Sequence, residues 1–297
     1  MSYYKQGQYE KAAAEFEALV RQDPRYEAGY RVLGDIYLKL RRFEEAARAF
    51  HKAAELDAGK FVSFHGAALA EFNLGRYEDC VKTLGAGAQT AASPREKYQL
   101  HHLRGLAYYN LRRFAEAARD LEAAVSIQGS NFEDLLHLGI ARFQLGDLEG
   151  AEEVLRRAAA IRPDSAEAKE YLARLRYLRG VQAIRDSRYA EAETHLQEAV
   201  RDLPGDAAAW YNLGLAQLFQ DKLDAALGSF RKSAELDASR WETFERLGFI
   251  QEKREKYEAA LQHYSKALEL NPGDPRLAES VKRVQERIRR KREGLES

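Results

Sequence analysis

The stretch LRRFEEAARAF at residues 40–50 returns as LRRFAEAARDL at residues 111–121, identical at eight of eleven positions. Comparison of the chain with itself shows that Phe43 and Phe114, inside these two copies, belong to a longer series. Its members are separated by 34, 34, 37, 34, 41, 34 and 34 residues, so a unit of 34 residues occurs eight times, with insertions of three and seven. The series consists of Tyr9, Phe43, Tyr77, Phe114, Leu148, Tyr189, Leu223 and Tyr257.

Each unit also repeats a pattern of side-chain size. Three residues after the opening position stands a small residue, and four residues later a large apolar one, as in Ala46 and Phe50. Steps of three and four residues fall on one face of a helix. Nine residues before the opening position stands a small residue that marks another helix: Gly34, Ala68, Gly105, Gly139, Gly180, Gly214 and Gly248.

These patterns predict that every unit is a pair of helices. Small residues at a helix crossing let two backbones approach, while bulky neighbours fill the grooves beside them. A glycine within a helix costs about 1 kcal/mol relative to alanine, so its return at the crossing predicts tight packing there. One pair cannot bury its apolar face alone, and the pairs must therefore stack.

The composition narrows the classes of function. The 297 residues include 47 basic and 47 acidic side chains, which gives no general attraction to nucleic acid, and no nucleic-acid partner is expected. Cys80 is the single cysteine, which excludes a disulfide within the chain and a cysteine zinc cluster. No apolar run approaches the roughly 20 residues of a transmembrane helix. We expect a soluble protein, with a cytoplasmic location favoured.

The seventh unit, AAAWYNLGLAQLFQDKLDAALGSF at residues 207–230, resembles a known repeat. The pattern W-x2-L-G followed by A-x3-F is carried by Trp210, Leu213, Gly214, Ala226 and Phe230. It is similar to the tetratricopeptide repeat, and the resemblance extends over residues 1–274. The resemblance implies an all-α fold, a right-handed superhelix or solenoid of about eight helix pairs. It also implies that the first helix of each pair lines a concave groove for a peptide or a partner helix.

The spacing gives the boundaries of the repeats. A partial repeat at 1–26 is followed by repeats at 27–60, 61–94, 98–131, 132–165, 166–206, 207–240 and 241–274. We expect the seven-residue insertion to lengthen the first helix of the sixth repeat by two turns. Residues 275–297 are predicted to form a basic capping helix, whose packed face carries Leu277, Val281, Val284 and Ile288.

Two features depart from the family pattern. Arg104 and Arg179 stand where the family has leucine, so the first helices of repeats four and six should pack differently on their neighbours. The chain also starts halfway through the first helix of repeat one, at Ser2. This start suggests a fragment of a longer protein, or self-association through the truncated repeat.

The positions that the family turns toward the groove carry apolar and aromatic residues, and Phe219 adjoins them. Such stripes mark interaction surfaces, and aromatic residues make the strongest anchors, although packing between repeats also explains some of them. The predicted partner-binding residues are His65, Leu69, Phe72, His102, Leu106, Tyr109, Leu136, Ile140, Phe143, Tyr177, Val181, Ile184, Tyr211, Leu215, Leu218 and Phe249. The strongest anchors are expected to be Leu106, Tyr109, Ile140, Phe143, Tyr177 and Tyr211, with Ile140 exposed.

No catalytic, cofactor or metal site is predicted. The sequence lacks the short motifs of nucleotide-binding loops, zinc proteases and serine hydrolases. His65, His102 and His137 fall on groove positions of successive repeats, about 10 Å apart, too far for one zinc ion. Cys80 occupies a crossing position and is expected to be buried and inert. We therefore expect that the protein is not an enzyme.

The groove chemistry by which some members of the family bind chaperones is missing. There, lysine, asparagine and arginine from three repeats hold a C-terminal carboxylate. Here Arg31 is accompanied by Asp35, and the next two repeats offer His65, Gly66, Gln99 and Leu103. The C-terminal carboxylate of a heat-shock chaperone is therefore not expected as a partner.

The sequence thus predicts a scaffold or adaptor that captures a partner helix or extended segment in an apolar, aromatic groove. The difference in charge between the two ends could orient the bound segment, with Arg31, Asp35 and Lys39 at the repeat-two end and Glu242, Glu245 and Glu252 at the repeat-eight end. The alternative is a regulatory or substrate-recruiting segment of a larger, enzymatic protein. The residues do not identify the partner.

Overall fold

The computed structural model describes residues 2–294, so Met1 and the last three residues of the predicted capping segment lie outside it. Within that span the chain is α-helical, with one short 3-10 turn, and contains no strand, which confirms the all-α class. No helix in the described span is both long and apolar enough to cross a membrane. The chain divides into two compact units, Met1–Ala168 and Lys169–Ser297, here named unit 1 and unit 2.

Unit 1 is a stack of helix pairs. Its helices are α1 (Ser2–Lys5), α2 (Tyr9–Gln22), α3 (Glu27–Lys39), α4 (Phe43–Leu56), α5 (Phe61–Asn73), α6 (Tyr77–Gly87), α7 (Pro94–Asn110), α8 (Phe114–Ile127), α9 (Phe132–Gln144) and α10 (Leu148–Ile161). Each helix packs against the next one in the chain. The first helices of consecutive pairs, α3, α5, α7 and α9, also contact each other and so form one layer.

Unit 2 repeats this arrangement. Its helices are α11 (Ala166–Arg185), which begins at the end of unit 1, α12 (Tyr189–Asp202), α13 (Ala207–Leu218), α14 (Leu223–Leu236), α15 (Trp241–Lys253), α16 (Tyr257–Leu270) and α17 (Pro275–Arg292). Helix α11 has 20 residues, whereas α15 has 13, so the seven-residue insertion adds two turns as expected. The first helices of unit 2 are α11, α13, α15 and α17.

The crossings between the helices of a pair are as tight as the glycine pattern predicts. A Cβ atom built on Gly34 would lie 2.7 Å from Cδ2 of Phe50, and one built on Gly214 would lie 2.8 Å from Cδ1 of Phe230. Phe50 also abuts Gly66, where an added Cβ would lie 2.5 Å from its Cζ. One phenylalanine therefore fills the space left by two glycines, on α3 and on α5.

The turn inside each pair places one residue in the left-handed region, with φ between 57° and 82°. For residues that carry a Cβ atom, that conformation costs about 1–2 kcal/mol of free energy. Glycine occupies the site in three repeats, and five repeats accept another residue there: Arg41, Arg112, Ser187, Asp221 and Glu255. The packing of the two helices therefore imposes this turn whether or not its residue favours it.

Helix α17 packs on the last repeat. Leu277, Val284 and Ile288 are buried, and Val281 is partly buried against the cluster that contains Tyr264. The basic residues near its C-terminal end remain exposed: Arg287, Arg289, Arg290, Lys291 and Arg292. Helix α17 therefore has one apolar face covered by the last repeat and a charged face outward.

Candidate partner-binding surface

The groove residues predicted for repeats three to five lie on α5, α7 and α9, whose common exposed side we call the first-helix face of unit 1. Seven of the nine predicted residues are half-buried there, so part of each side chain is left for a partner. These are His65, Leu69, Phe72, His102, Leu106, Tyr109 and Phe143. The face combines apolar and aromatic surface, as the sequence predicts.

Two predicted residues of unit 1 are not on the surface. Ile140 is 1% exposed and Leu136 is 4% exposed, so the expectation that Ile140 is exposed is wrong. Helix α9 is packed by α7, α8 and α10, and aliphatic side chains near its middle are enclosed among them. Ile140 and Leu136 therefore belong to the core, and a substitution at Ile140 tests stability rather than binding.

The aromatic side chains of this face also brace it. The ring centroid of Tyr109 lies 4.5 Å from that of His137 in a T-shaped contact, and 6.0 Å from that of Phe114. Phe72 makes a similar contact with Tyr77 at 5.2 Å. Such edge contacts are worth about 0.5–1.5 kcal/mol beyond burial. The rings are therefore fixed before a partner arrives, which lowers the entropy cost of binding.

A buried carboxylate joins two first helices beneath the face. Asp134 on α9 is fully buried; the Tyr98 hydroxyl donates to its Oδ2 at 3.0 Å, and His102 Nδ1 lies 2.6 Å from its Oδ1. Because the acceptor is a carboxylate, Nδ1 of His102 carries the proton. Burial, followed by the charge of Asp134, raises the pKa of Tyr98. Helices α7 and α9 are thus held by polar as well as apolar contacts.

His65 makes the stability of the protein depend on pH. Burial lowers the pKa of its imidazole to about 4, with a smaller contribution from His102. A lowered histidine pKa means that the unfolded chain binds the proton more tightly, so stability is complete above about pH 6.5 and falls as the pH drops toward 4. We expect the free energy of unfolding to lose about 2 kcal/mol from this group between pH 7 and pH 5.

Urea unfolding of the wild type and of His65→Gln at both pH values measures this loss. Other groups titrate in the same range, since the hydrogen bond that His51 donates to Glu71 raises the pKa of His51, whose contribution to stability is lost at higher pH. The change in unfolding free energy between the two pH values, compared between the wild type and the variant, gives the contribution of His65. Equal pH dependence of wild type and variant would show that His65 is readily protonated in the folded state.

The remaining predicted residues lie on α11, α13 and α15, whose common exposed side is the first-helix face of unit 2. Leu218 is 9% exposed and is a core residue of the α13 to α15 cluster, so its assignment to the surface is wrong. Phe249 is 37% exposed and Phe219, beside the predicted series, is 53% exposed. Half-buried are Tyr177, Val181, Ile184, Tyr211 and Leu215.

Phe249 forms one wall of an open pocket of about 360 Å³, which Glu252, Lys253 and Arg283 complete. The guanidinium of Arg283 bonds both carboxylate oxygens of Glu252, at 2.8 and 3.0 Å. Glu252 also accepts a hydrogen bond from Tyr264 at 2.9 Å. Glu252 is therefore committed within the fold and cannot orient a partner by itself, in contrast to the sequence-based expectation.

Two other features bear on chemistry: clusters of metal-ligating side chains and the single cysteine. Among residues 2–294, no group of three or more His, Cys, Asp or Glu side chains is placed to hold a metal ion. Cys80 is fully buried, and burial raises the pKa of its thiol to about 12, which makes it a poor nucleophile.

Sequence reasoning missed two further polar clusters in unit 1. Glu71, 5% exposed, bonds Nε2 of His51 at 2.7 Å and so links α5 to α4. Arg104 at the leucine position makes two bonds to Asp120, at 2.6 and 2.8 Å, across the α7 and α8 crossing. An arginine at a core position followed by an aspartate sixteen residues later is the signal that could have revealed this pair.

Comparison with protein families gives matches along most of the chain. One tetratricopeptide repeat profile matches residues 1–61, 102–166, 136–180 and 177–240, and a second profile of the same repeat matches residues 241–274. These matches agree with the helix pairs of both units.

Curated relatives are distant and longer. The chain is 25% identical over 264 residues to Hsp70-Hsp90 organizing protein 1 of Glycine max, covering 88% of this chain and 44% of that protein. It is 23% identical to organizing protein 3 of Arabidopsis thaliana, with 88% and 46% covered. Superkiller protein 3 of Schizosaccharomyces pombe is 25% identical over 59% of this chain and 14% of its own length. The chain thus spans less than half the length of these relatives.

Solved structures with similar folds include the TPR2AB domain of yeast Sti1 in complex with pHSP90. It is 20% identical, covers 88% of this chain and 97% of its own, and has a TM-score of 0.44. MamA from Desulfovibrio magneticus RS-1, from residue 41 to its end, is 27% identical with a TM-score of 0.41, covering 60% of this chain and 97% of its own.

Proposed function

We propose, from the premise that this chain belongs to the tetratricopeptide repeat family and is a protein-interaction domain, that it is a non-enzymatic scaffold which captures an apolar helix or extended segment. The observation that carries the proposal is the series of half-buried apolar and aromatic side chains on the first-helix faces of both units. A standard interface buries about 800 Å² on each partner, and a few fixed aromatic anchors dominate its energy.

Two of the relatives are named for organizing Hsp70 and Hsp90, yet we do not propose that this chain binds a chaperone's C-terminal carboxylate. His65 and Leu103 occupy positions where that chemistry needs lysine, asparagine or arginine. Arg31, the remaining cation of that set, bonds Glu27 at 3.2 Å and lies beside Asp35. Without two further cations, the cost of removing water from a carboxylate is not repaid.

A second candidate function is recruitment within a larger protein, in which these repeats hold a substrate or regulator for a domain elsewhere. It is favoured by the length of the curated relatives, of which the chain spans 44 to 46% for the organizing proteins. The gene that encodes the chain decides between the two candidates, because recruitment requires a catalytic domain in the same polypeptide.

Glutamate in place of Leu106 should prevent capture without unfolding the protein. Leu106 is half-buried on the first-helix face of unit 1, so a carboxylate there can still reach water, but it removes an anchor and places a charge against the partner. The probe is a labelled peptide helix with leucines at i, i+3, i+4 and i+7 and glutamine elsewhere. We expect its affinity, measured by fluorescence anisotropy, to fall at least about 10-fold.

The matched control is Leu19→Glu, because Leu19 is 42% exposed on the second helix α2. It should bind the peptide as the wild type does. Unchanged binding by Leu106→Glu, with the circular dichroism spectrum of the wild type, would rule out this face as the capture surface.

A further inference from the structure

The first-helix face of unit 2 carries two carboxylates, Glu242 and Glu245, of which, among the described residues, Glu242 is left without a partner and Glu245 is only weakly paired. Glu242 on α15 is partly exposed and makes no hydrogen bond or ion pair within residues 2–294. Glu245 has a long contact with its neighbour Arg246, at 3.7 Å, and is close enough to Arg276 to raise the pKa of that guanidinium. Glu242, Glu245 and Phe249 are spaced i, i+3 and i+7, so they lie along one side of α15.

Three cations near Phe249 and at the start of α17 are already committed to carboxylates. Lys253 Nζ lies 3.1 Å from Asp221 Oδ1, and Arg276 Nη2 lies 2.7 Å from Asp274 Oδ2. Arg283 is held by both oxygens of Glu252. A cation supplied by a partner would therefore find the unpaired Glu242 and the weakly paired Glu245, whereas a carboxylate beside Phe249 would find Lys253 and Arg283 already paired.

Apolar surface lies beside Glu242 and Glu245. Phe249 is 37% exposed in its pocket, and the ring of Phe219, 53% exposed, stacks on Tyr189 with centroids 4.7 Å apart. Along α15, Glu245 is one turn from Phe249 and Glu242 is two turns away, about 6 and 10 Å. A segment that fills the Phe249 pocket therefore brings its next turn over the acids.

The position of the acids also sets a direction. Glu242 and Glu245 lie in the first and second turns of α15, at the end of the face opposite to Lys253. Arg185, at the C-terminal end of α11, is exposed and makes no hydrogen bond or ion pair within residues 2–294, so it would repel basic residues of a partner. A bound segment should place its basic residues toward the N-terminal end of α15.

We propose that the first-helix face of unit 2 binds a basic amphipathic segment. An apolar or aromatic side chain enters the pocket beside Phe249, and a lysine or arginine about one to two helical turns away pairs with Glu245 and Glu242. This inference rests on the proposed capture function and gives the chemical class of the partner. It disfavours acidic segments, because their carboxylates would face those of Glu242 and Glu245.

The test uses the full chain and three labelled peptide helices that share one stripe of leucines and carry lysine, glutamine or glutamate at the flanking positions. At physiological ionic strength we expect the lysine peptide to bind about 10-fold more tightly than the glutamate peptide, with the glutamine peptide between them. Glu242→Lys should weaken the lysine peptide and tighten the glutamate peptide. The control for this change of charge is Glu153→Lys, on the exposed side of α10 in unit 1.

Phe249→Ala should weaken all three peptides by similar factors, since it removes the apolar anchor alone. Equal affinity of the three peptides, all reduced by Phe249→Ala, would leave capture intact and overturn the basic class of partner. A preference for lysine that Glu242→Lys does not alter would overturn the assignment to this face. Failure of all three peptides to bind would contradict both the capture function and this inference.

Discussion

Replacement of Ile140 by glutamate is expected to unfold the helix stack of unit 1. Ile140 is 1% exposed, and removal of its contacts alone costs about 2–5 kcal/mol, as for other truncations of buried isoleucine. A carboxylate enclosed among α7, α8 and α10 without a partner adds several kcal/mol. Because the free energy of unfolding of a natural domain is only about 5–15 kcal/mol, this single change consumes most of it.

Thermal unfolding, followed by the helical signal in far-UV circular dichroism, measures the effect. We expect the variant to lose much of its helical signal at temperatures where the wild type is folded. Leu106→Glu, the same charge on the half-buried face of the same unit, should keep the wild-type transition. A wild-type transition for Ile140→Glu would mean that α9 presents this residue to solvent.

Truncation of Phe50 to alanine should cost about 3–5 kcal/mol, the second large effect. Phe50 is 1% exposed and lies within contact distance of two glycines, one on α3 and one on α5. Its removal leaves a cavity at a crossing within repeat two and at the junction with repeat three. Because glycines line part of that cavity, those two positions offer no side chain that can relax into it, which raises the cost.

Urea unfolding gives the magnitude, and Phe50→Leu provides the graded control. Leucine occupies the same position in four other repeats: Leu84, Leu121, Leu155 and Leu196. It should cost less than about 2 kcal/mol, because it keeps the crossing with Gly34 filled and loses mainly the contact with Gly66. Equal losses for leucine and alanine would show that the ring's contact with Gly66 dominates.

The fold follows from the sequence because it depends on features that repeat. Small and large residues at fixed spacing define where helices cross, and the structure places Phe50 against Gly34 and Phe230 against Gly214 as that spacing requires. The two extra turns of α11 follow from a seven-residue insertion in a region that continues the helical pattern. Local spacing contains all the information that these predictions need.

The candidate surface could be predicted only in part, because exposure depends on neighbours distant in sequence. Leu106 and Ile140 have the same register in successive repeats, yet Leu106 is half-buried and Ile140 is buried. The partners of Asp134 lie 32 and 36 residues earlier, so nothing near it indicates that its charge is satisfied. Glu252 is likewise neutralised by Arg283, 31 residues later.

The buried carboxylate of Asp134 limits which repeats of this chain can be deleted, exchanged or duplicated during evolution. Its donors belong to repeat four, and other first helices place Phe61 or Ala207 where Tyr98 stands. Deletion or exchange of repeat four would leave the buried carboxylate of Asp134 without donors, unless the replacing repeat supplied a hydroxyl and an imidazole at the same positions. The repeats therefore cannot replace one another freely. In the evolution of this chain, duplication of terminal repeats should be tolerated more readily than insertion at the junction between repeats four and five.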